Sequence, residues 1–144
     1  MTFPNSSAVA SCSAAYPTDF HDKIRKALTF TGLKYIHIHT PCPTGWDYDP
    51  RESVNIGRLA VRTGVWPLKE YRDGTLVHTK VPRDRLPVED YLKAQGRFAH
   101  LFSPARDEGL LAELLSALQQ IAIAQSVPEA VDENLQERAA ILEL

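Results

Sequence analysis

With 144 residues, 16 Lys and Arg against 18 Asp and Glu, and a net charge of −2, the chain has room for one compact body and shows no bias toward polyanionic partners. Nucleic-acid binding therefore has no electrostatic support. No apolar run approaches the ~20 residues of a membrane helix, Met1 to Ser13 lacks the basic and hydrophobic regions of a secretory leader, and two cysteines, Cys12 and Cys42, build no disulfide scaffold, so a cytoplasmic protein with no membrane or nucleic-acid partner is expected.

The first dozen residues are small and polar without periodicity and read as a flexible lead-in over 1–12, as if a fold began abruptly after a missing upstream part. From Pro17 to Leu28, Phe20, Ile24, Ala27 and Leu28 recur at helical spacing, with Gly32 as the left-handed exit. Lys34 to His39 alternates, Ile36 and Ile38 on one face and Tyr35, His37 and His39 on the other, which predicts a strand. It runs into Thr40-Pro41-Cys42-Pro43-Thr44-Gly45-Trp46, where two prolines forbid ladder and helix alike and hold the thiol in a stiff loop at the strand's C-terminal end. Asp49-Pro50-Arg51-Glu52 has the order of an N-cap, a first-turn proline and a capping-box Glu, opening a helix through Val54, Leu59 and Val61 to Gly64.

Val65 to Tyr71 and Leu76 to Val81 flank Arg72-Asp73-Gly74-Thr75, whose Asp-Gly step predicts a β-hairpin. After Pro87 a short helix carries Val88, Tyr91 and Leu92 and ends near Gly96, and Phe98, Leu101 and Phe102 supply an apolar anchor. Ser103-Pro104 opens a long helix striped by Leu111, Leu114, Leu115, Leu118 and Ile121, and Ser126 to Glu129 breaks it before a last helix with Val131, Leu135 and Ile141. The expected class is α/β, with a β-hairpin in the middle and a helical C-terminal tail.

On local chemistry Cys42 leads the candidates, because a cysteine held between prolines on a loop is easily presented to a metal or an electrophile. Residue statistics favour a plain structural cysteine all the same, and Cys12 has a weaker claim still. His37 and His39 share one side of their strand, where two imidazoles could share a metal with His21 as third ligand, although hydrogen-bonded histidines are the commoner outcome. Asp47 and Asp49 read as turn and cap rather than as an acid/base pair, and Trp46 and Trp66 as core aromatics.

Several segments appear in a set order: Ala14-Ala15-Tyr16-Pro17, Tyr35-Ile36-His37-Ile38-His39, Pro41-Cys42-Pro43-Thr44-Gly45-Trp46, Leu59-Ala60-Val61, Gly64-Val65-Trp66-Pro67-Leu68, and Pro87-Val88-Glu89-Asp90-Tyr91-Leu92-Lys93 through Gly96-Arg97-Phe98-Ala99-His100-Leu101. In that order and spacing the stretch from Ser13 to Leu101 resembles the C-terminal part of the beta subunit of pyruvate:ferredoxin oxidoreductase, the pyruvate synthase family. The resemblance implies the C-terminal portion of a thiamine-diphosphate-binding-type α/β domain over 13–102, with a helical tail over 103–144. It also implies an oxidoreductase complex that cleaves a 2-oxoacid with CoA and passes electrons to ferredoxin, or runs in reverse. The complete complex would use thiamine diphosphate, magnesium and a 4Fe-4S cluster, and Cys42 would be the last of the four cluster thiolates.

The family's other three cluster cysteines and its acidic cofactor motif have no counterpart in this sequence, and no residue matches a thiamine or magnesium ligand. One thiolate cannot hold a four-iron cluster. The expected partners are therefore the other oxidoreductase subunits, including the missing N-terminal part of beta, and the isolated chain is expected to be inactive. Two alternatives remain open at this point. One is a non-catalytic assembly module that docks through its hairpin and leucine stripe, and the other is the same enzyme class acting on a different 2-oxoacid.

Overall fold

A computed structural model describes residues 8–72, 75–102 and 108–124. Four strands form one mixed sheet: β1 (Ala8–Ser13), β2 (Lys34–His39), β3 (Leu68–Arg72) and β4 (Thr75–Lys80), in the order β2-β1-β3-β4. β1 runs parallel to β2, with Ala8 opposite Lys34 and Ser13 opposite His39, and antiparallel to β3, which forms the expected hairpin with β4. An α/β fold is thus established.

The expected lead-in over 1–12 is corrected from Ala8 onward, because Ala8–Ser13 is an interior strand with a partner on each side. Its side chains are too small to give an alternating pattern, and the ladders on both edges supply what intrinsic propensity does not. Small residues also let helix α1 (Pro17–Leu28) lie against it. Residues 1–7 lie outside the described residues.

α1 occupies the predicted span and connects the parallel pair, as a crossover must. Its best-buried side chains are Lys23 and Ala27, whereas Leu28 is 72% exposed. Lys23 is 2% exposed, and its ammonium donates to the Ser11 carbonyl at 2.8 Å and to Asp19 Oδ2 at 2.7 Å, so the buried charge is both paired and hydrogen-bonded. The helix ends at Thr29 in right-handed backbone, so Gly32 is not the left-handed exit the sequence suggested. Thr29 closes the last turn itself, through its N–H and through its hydroxyl on the Lys26 carbonyl.

On the other flank, Asp49 caps as expected by accepting from the Arg51 N–H at 2.9 Å. The first turn, Pro50–Glu52, is a 3-10 helix that leads into α3 (Ser53–Arg62), with Gly64 beyond it at φ 81°. The Glu52 carboxylate accepts from Asn55. Between β2 and that cap lies a single helical turn, α2 (Pro43–Trp46); after the hairpin come α4 (Val88–Lys93), a 3-10 helix over Gly96–Leu101, and α5 (Glu108–Ala124). Ile56 and Ala60 of α3, Val88, Tyr91 and Leu92 of α4, Leu101, and Leu111 of α5 make one buried cluster, with Leu114, Leu115 and Leu118 packed against it. Val54 is the exception among the α3 residues singled out from the sequence, being half exposed.

The described part of the leucine stripe therefore folds back onto the body, Leu111 buried and Leu114, Leu115 and Leu118 partly so, which weakens the assembly alternative. The predicted start of that helix at Ser103-Pro104, the side chain of Ile121, the turn residues Asp73 and Gly74, and the last helix with Val131, Leu135 and Ile141 lie outside the described residues. No helix among the described residues is long and apolar enough to cross a membrane.

Candidate functional site

β2 carries the chain to His39 and delivers Thr40-Pro41-Cys42 at its C-terminal end, the end at which open α/β sheets gather their ligands. Pro41 and Pro43 withhold two N–H groups from any ladder, so the chain cannot extend the strand. Instead Cys42 becomes the N-cap of α2, with φ −109° and ψ 105°, and its carbonyl accepts from the Trp46 N–H at 3.0 Å. Asp47 then turns back at φ 56°, a left-handed value that costs a non-glycine residue about 1 kcal/mol, and Tyr48 N–H donates to the Pro43 carbonyl at 3.3 Å. The result is a short knuckle with the Cys42 side chain exposed at its corner.

The second cysteine differs in every respect. Cys12 is wholly buried in β1, and burial raises its thiol pKa, with the nearby Lys23 ammonium working the other way. A neutral thiol inside a sheet is inert. Of the two thiols only that of Cys42 is exposed.

Aromatic rings gather around the end of β2. Trp66 donates from Nε1 to the Cys12 carbonyl at 2.8 Å and packs its ring against His37, at 4.6 Å between centroids, and His39, at 5.2 Å. The shared strand face predicted for His37 and His39 is thereby explained by packing against one indole. His21 is on α1, where its Nδ1 is 3.8 Å from Asp22 Oδ1. Among the described residues no three of His, Cys, Asp and Glu converge as a metal site.

His39 is 8% exposed. Its Nε2 lies 3.4 Å from the Tyr91 hydroxyl and its Nδ1 has no hydrogen-bond partner. Burial, helped by the neighbouring Arg97 guanidinium and by His37, pushes its pKa from 6.5 down to about 4. The ring beside the cysteine loop is thus neutral at physiological pH.

Residue-by-residue reading of the sequence passed over Gln95, Arg97 and the hydroxyl of Tyr91. Arg97 sits with its Cζ 4.3 Å from the Trp46 ring centroid and 4.7 Å from that of Phe98, and donates from Nε and Nη2 to Gln95 Oε1 at 3.0 and 2.7 Å. The available signal was an Arg directly after Gly96 and before an apolar anchor, which marks a short turn but says nothing of the tryptophan it meets far back in the chain.

Comparison with known proteins gives this geometry a context. No protein-family model matches the chain. It is 54% identical over 93 residues to the pyruvate synthase subunit PorB of Methanothermobacter marburgensis, covering 65% of this chain and 32% of that one. Against PorB of Thermotoga maritima identity is 40% over 105 residues, 73% of this chain and 32% of the relative. Ketoisovalerate oxidoreductase subunit VorB of Pyrococcus furiosus is 42% identical over 94 residues, 64% of this chain and 30% of the relative. The chain thus spans about a third of the length of the curated relatives it matches. Identity at this level over so long a stretch bears out the resemblance seen in the sequence, and the matched part of the chain belongs to the family of the pyruvate synthase PorB and ketoisovalerate oxidoreductase VorB subunits.

Proposed function

We propose that the polypeptide is part of the beta subunit of a 2-oxoacid:ferredoxin oxidoreductase, that pyruvate is the 2-oxoacid, and that Cys42 is a thiolate ligand of a 4Fe-4S cluster. In the reaction so assigned, pyruvate and CoA give acetyl-CoA, carbon dioxide, a proton and two electrons, which leave for ferredoxin; the reverse direction fixes carbon dioxide. The observation that carries this reading is the similarity to PorB, which reaches 54% identity, although VorB at 42% falls within the range that PorB subunits span. The VorB likeness favours a second reading, in which a branched-chain 2-oxoacid is the substrate.

The residues present fit one ligand position of a cluster and no more. Cys42 offers an exposed thiol on a stiff loop, whereas Cys12 is wholly buried within the sheet. The remaining thiolates, and the groups that hold thiamine diphosphate and magnesium, would come from polypeptide that the relatives have and this sequence lacks. When bound, the cluster supplies a one-electron carrier. This chain's own residues would fix one thiolate at the end of β2, pack Trp66 and Trp46 against the nearby His39, and keep that ring uncharged near neutral pH. Support for further polypeptide comes from β2 itself, an edge strand whose Tyr35 and Ile38 are 56% and 40% exposed. Free thiols and an oxygen-sensitive cluster would suit a reducing cytoplasm.

Anaerobic purification of the tagged chain from its host tests this directly. A brown complex containing the missing cysteines, releasing carbon dioxide from pyruvate faster than from ketoisovalerate, is the expected result. Cys42→Ala should cost that complex its cluster iron and its ferredoxin reduction, and retention of both sinks the ligand assignment.

A further inference from the structure

We propose that Gln95, Gly96 and Arg97 form a clamp that fixes the Cys42 loop, and that they act as positioning residues for its thiol. The purpose given to the clamp rests on the reading of Cys42 as a cluster ligand, whereas the clamp itself rests on geometry alone.

Two contacts bind this segment to the knuckle, and the close approach at one of them admits only glycine. Gly96 N–H donates to the Asp47 carbonyl at 2.8 Å, which offsets the cost of the left-handed turn at Asp47. A Cβ on Gly96 would stand 2.5 Å from that same oxygen and against the Asp47 carboxylate, so only glycine allows the two backbones to come this close. Arg97 lies over Trp46, the last residue of α2. A guanidinium suits this place because it is flat enough to stack on an indole while its edge still donates two hydrogen bonds.

The clamp is anchored rather than free. Gln95 is 1% exposed and its Nε2 donates to the Tyr91 carbonyl at 2.6 Å, which leaves Oε1 aimed at Arg97. Tyr91, in the preceding helix α4, meets His39 at the start of the loop. Both ends of the loop are therefore tied to one short stretch of chain, residues 91–97: residue 39 through Tyr91, and residues 46 and 47 through Arg97 and Gly96. Cys42 is the exposed point between the two ties. Apolar packing could hold such a loop without a buried glutamine and a stacked cation; what the polar arrangement adds is a fixed direction, since hydrogen bonds are angular and apolar contacts are not.

Hydrogen exchange on the full chain tests the clamp without any cofactor. In Arg97→Ala the Trp46 and Tyr48 amides should exchange roughly tenfold faster or more, while the amides of β1 keep their rates. Arg97→Lys should behave like the alanine variant, because a lysine keeps the charge but can neither stack flat nor fork to Gln95. Unchanged loop protection in Arg97→Ala, full rescue by lysine, or an equal rise in β1 overturns the proposal. In the assembled complex, Arg97→Ala should retain the cluster iron but shift the electron-paramagnetic-resonance spectrum of the reduced cluster. An unshifted spectrum beside a Cys42→Ala variant that has lost its iron defeats the clamp alone, whereas iron retained in Cys42→Ala defeats the ligand reading and leaves the exchange result standing.

Discussion

The helical flank and the β2 flank of the molecule are built on opposite terms. On the first, Ile56, Ala60, Val88, Tyr91, Leu92, Leu101 and Leu111 close around one another. On the second, Leu28, Leu33, Tyr35 and Ile38 are all at least 40% exposed along or beside an edge strand. Parallel strands are normally covered on both faces, so one flank is closed among the described residues and the other is left open among them. The sharpest way to test this is to remove a side chain from the closed flank. Leu92→Ala should lower the free energy of unfolding by about 2–5 kcal/mol in urea titration, the range for a buried leucine whose cavity cannot collapse. A loss below about 1 kcal/mol breaks the comparison at its stronger end.

Between the two flanks stands His39, and it makes the stability of the junction depend on pH. Its pKa is lowered from 6.5 to about 4 in the folded chain, so between those values the unfolded state binds the extra proton. Stability from this source is fully present above pH 6.5 and is lost as the pH falls toward 4. Between pH 7.5 and pH 5 the loss should be about 2 kcal/mol. Replacing the ring with one that cannot titrate, His39→Phe, should flatten that part of the pH profile, and Tyr91→Phe should leave the slope largely in place because desolvation is the first cause of the shift. The same steepness in His39→Phe transfers the effect to another group.

How much of this was legible beforehand differs by element in a physically sensible way. α1 and β2 were readable to the residue, because proline at a helix start and strict alternation in a strand are local signals. β1 was not, since Ala8, Ala10 and Cys12 owe their place to neighbours on both sides, and nothing local in a run of small residues announces that. For the site, two prolines sufficed to set Cys42 at an exposed strand end. Arg97 and Gln95 were out of reach, because what matters about them is a meeting with Trp46 and a burial beside Tyr91 that only the folded chain supplies.

The smallest expected effect lies at the open edge, and it distinguishes who completes it. Tyr35 and Ile38 lie on opposite faces of β2 and are substantially exposed, so a Tyr35→Ser, Ile38→Ser pair should cost the isolated chain only about 0.5 kcal/mol, as surface substitutions do. In the host the same pair should sharply reduce recovery of the completing polypeptide, since an edge strand offers both backbone hydrogen bonds and side-chain pockets to whatever adds to it. A cost above about 2 kcal/mol in the isolated chain means that this edge is already covered from within. Unimpaired recovery with a small cost means that the completing polypeptide enters elsewhere, and the exposed residues of β2 then have no part in assembly.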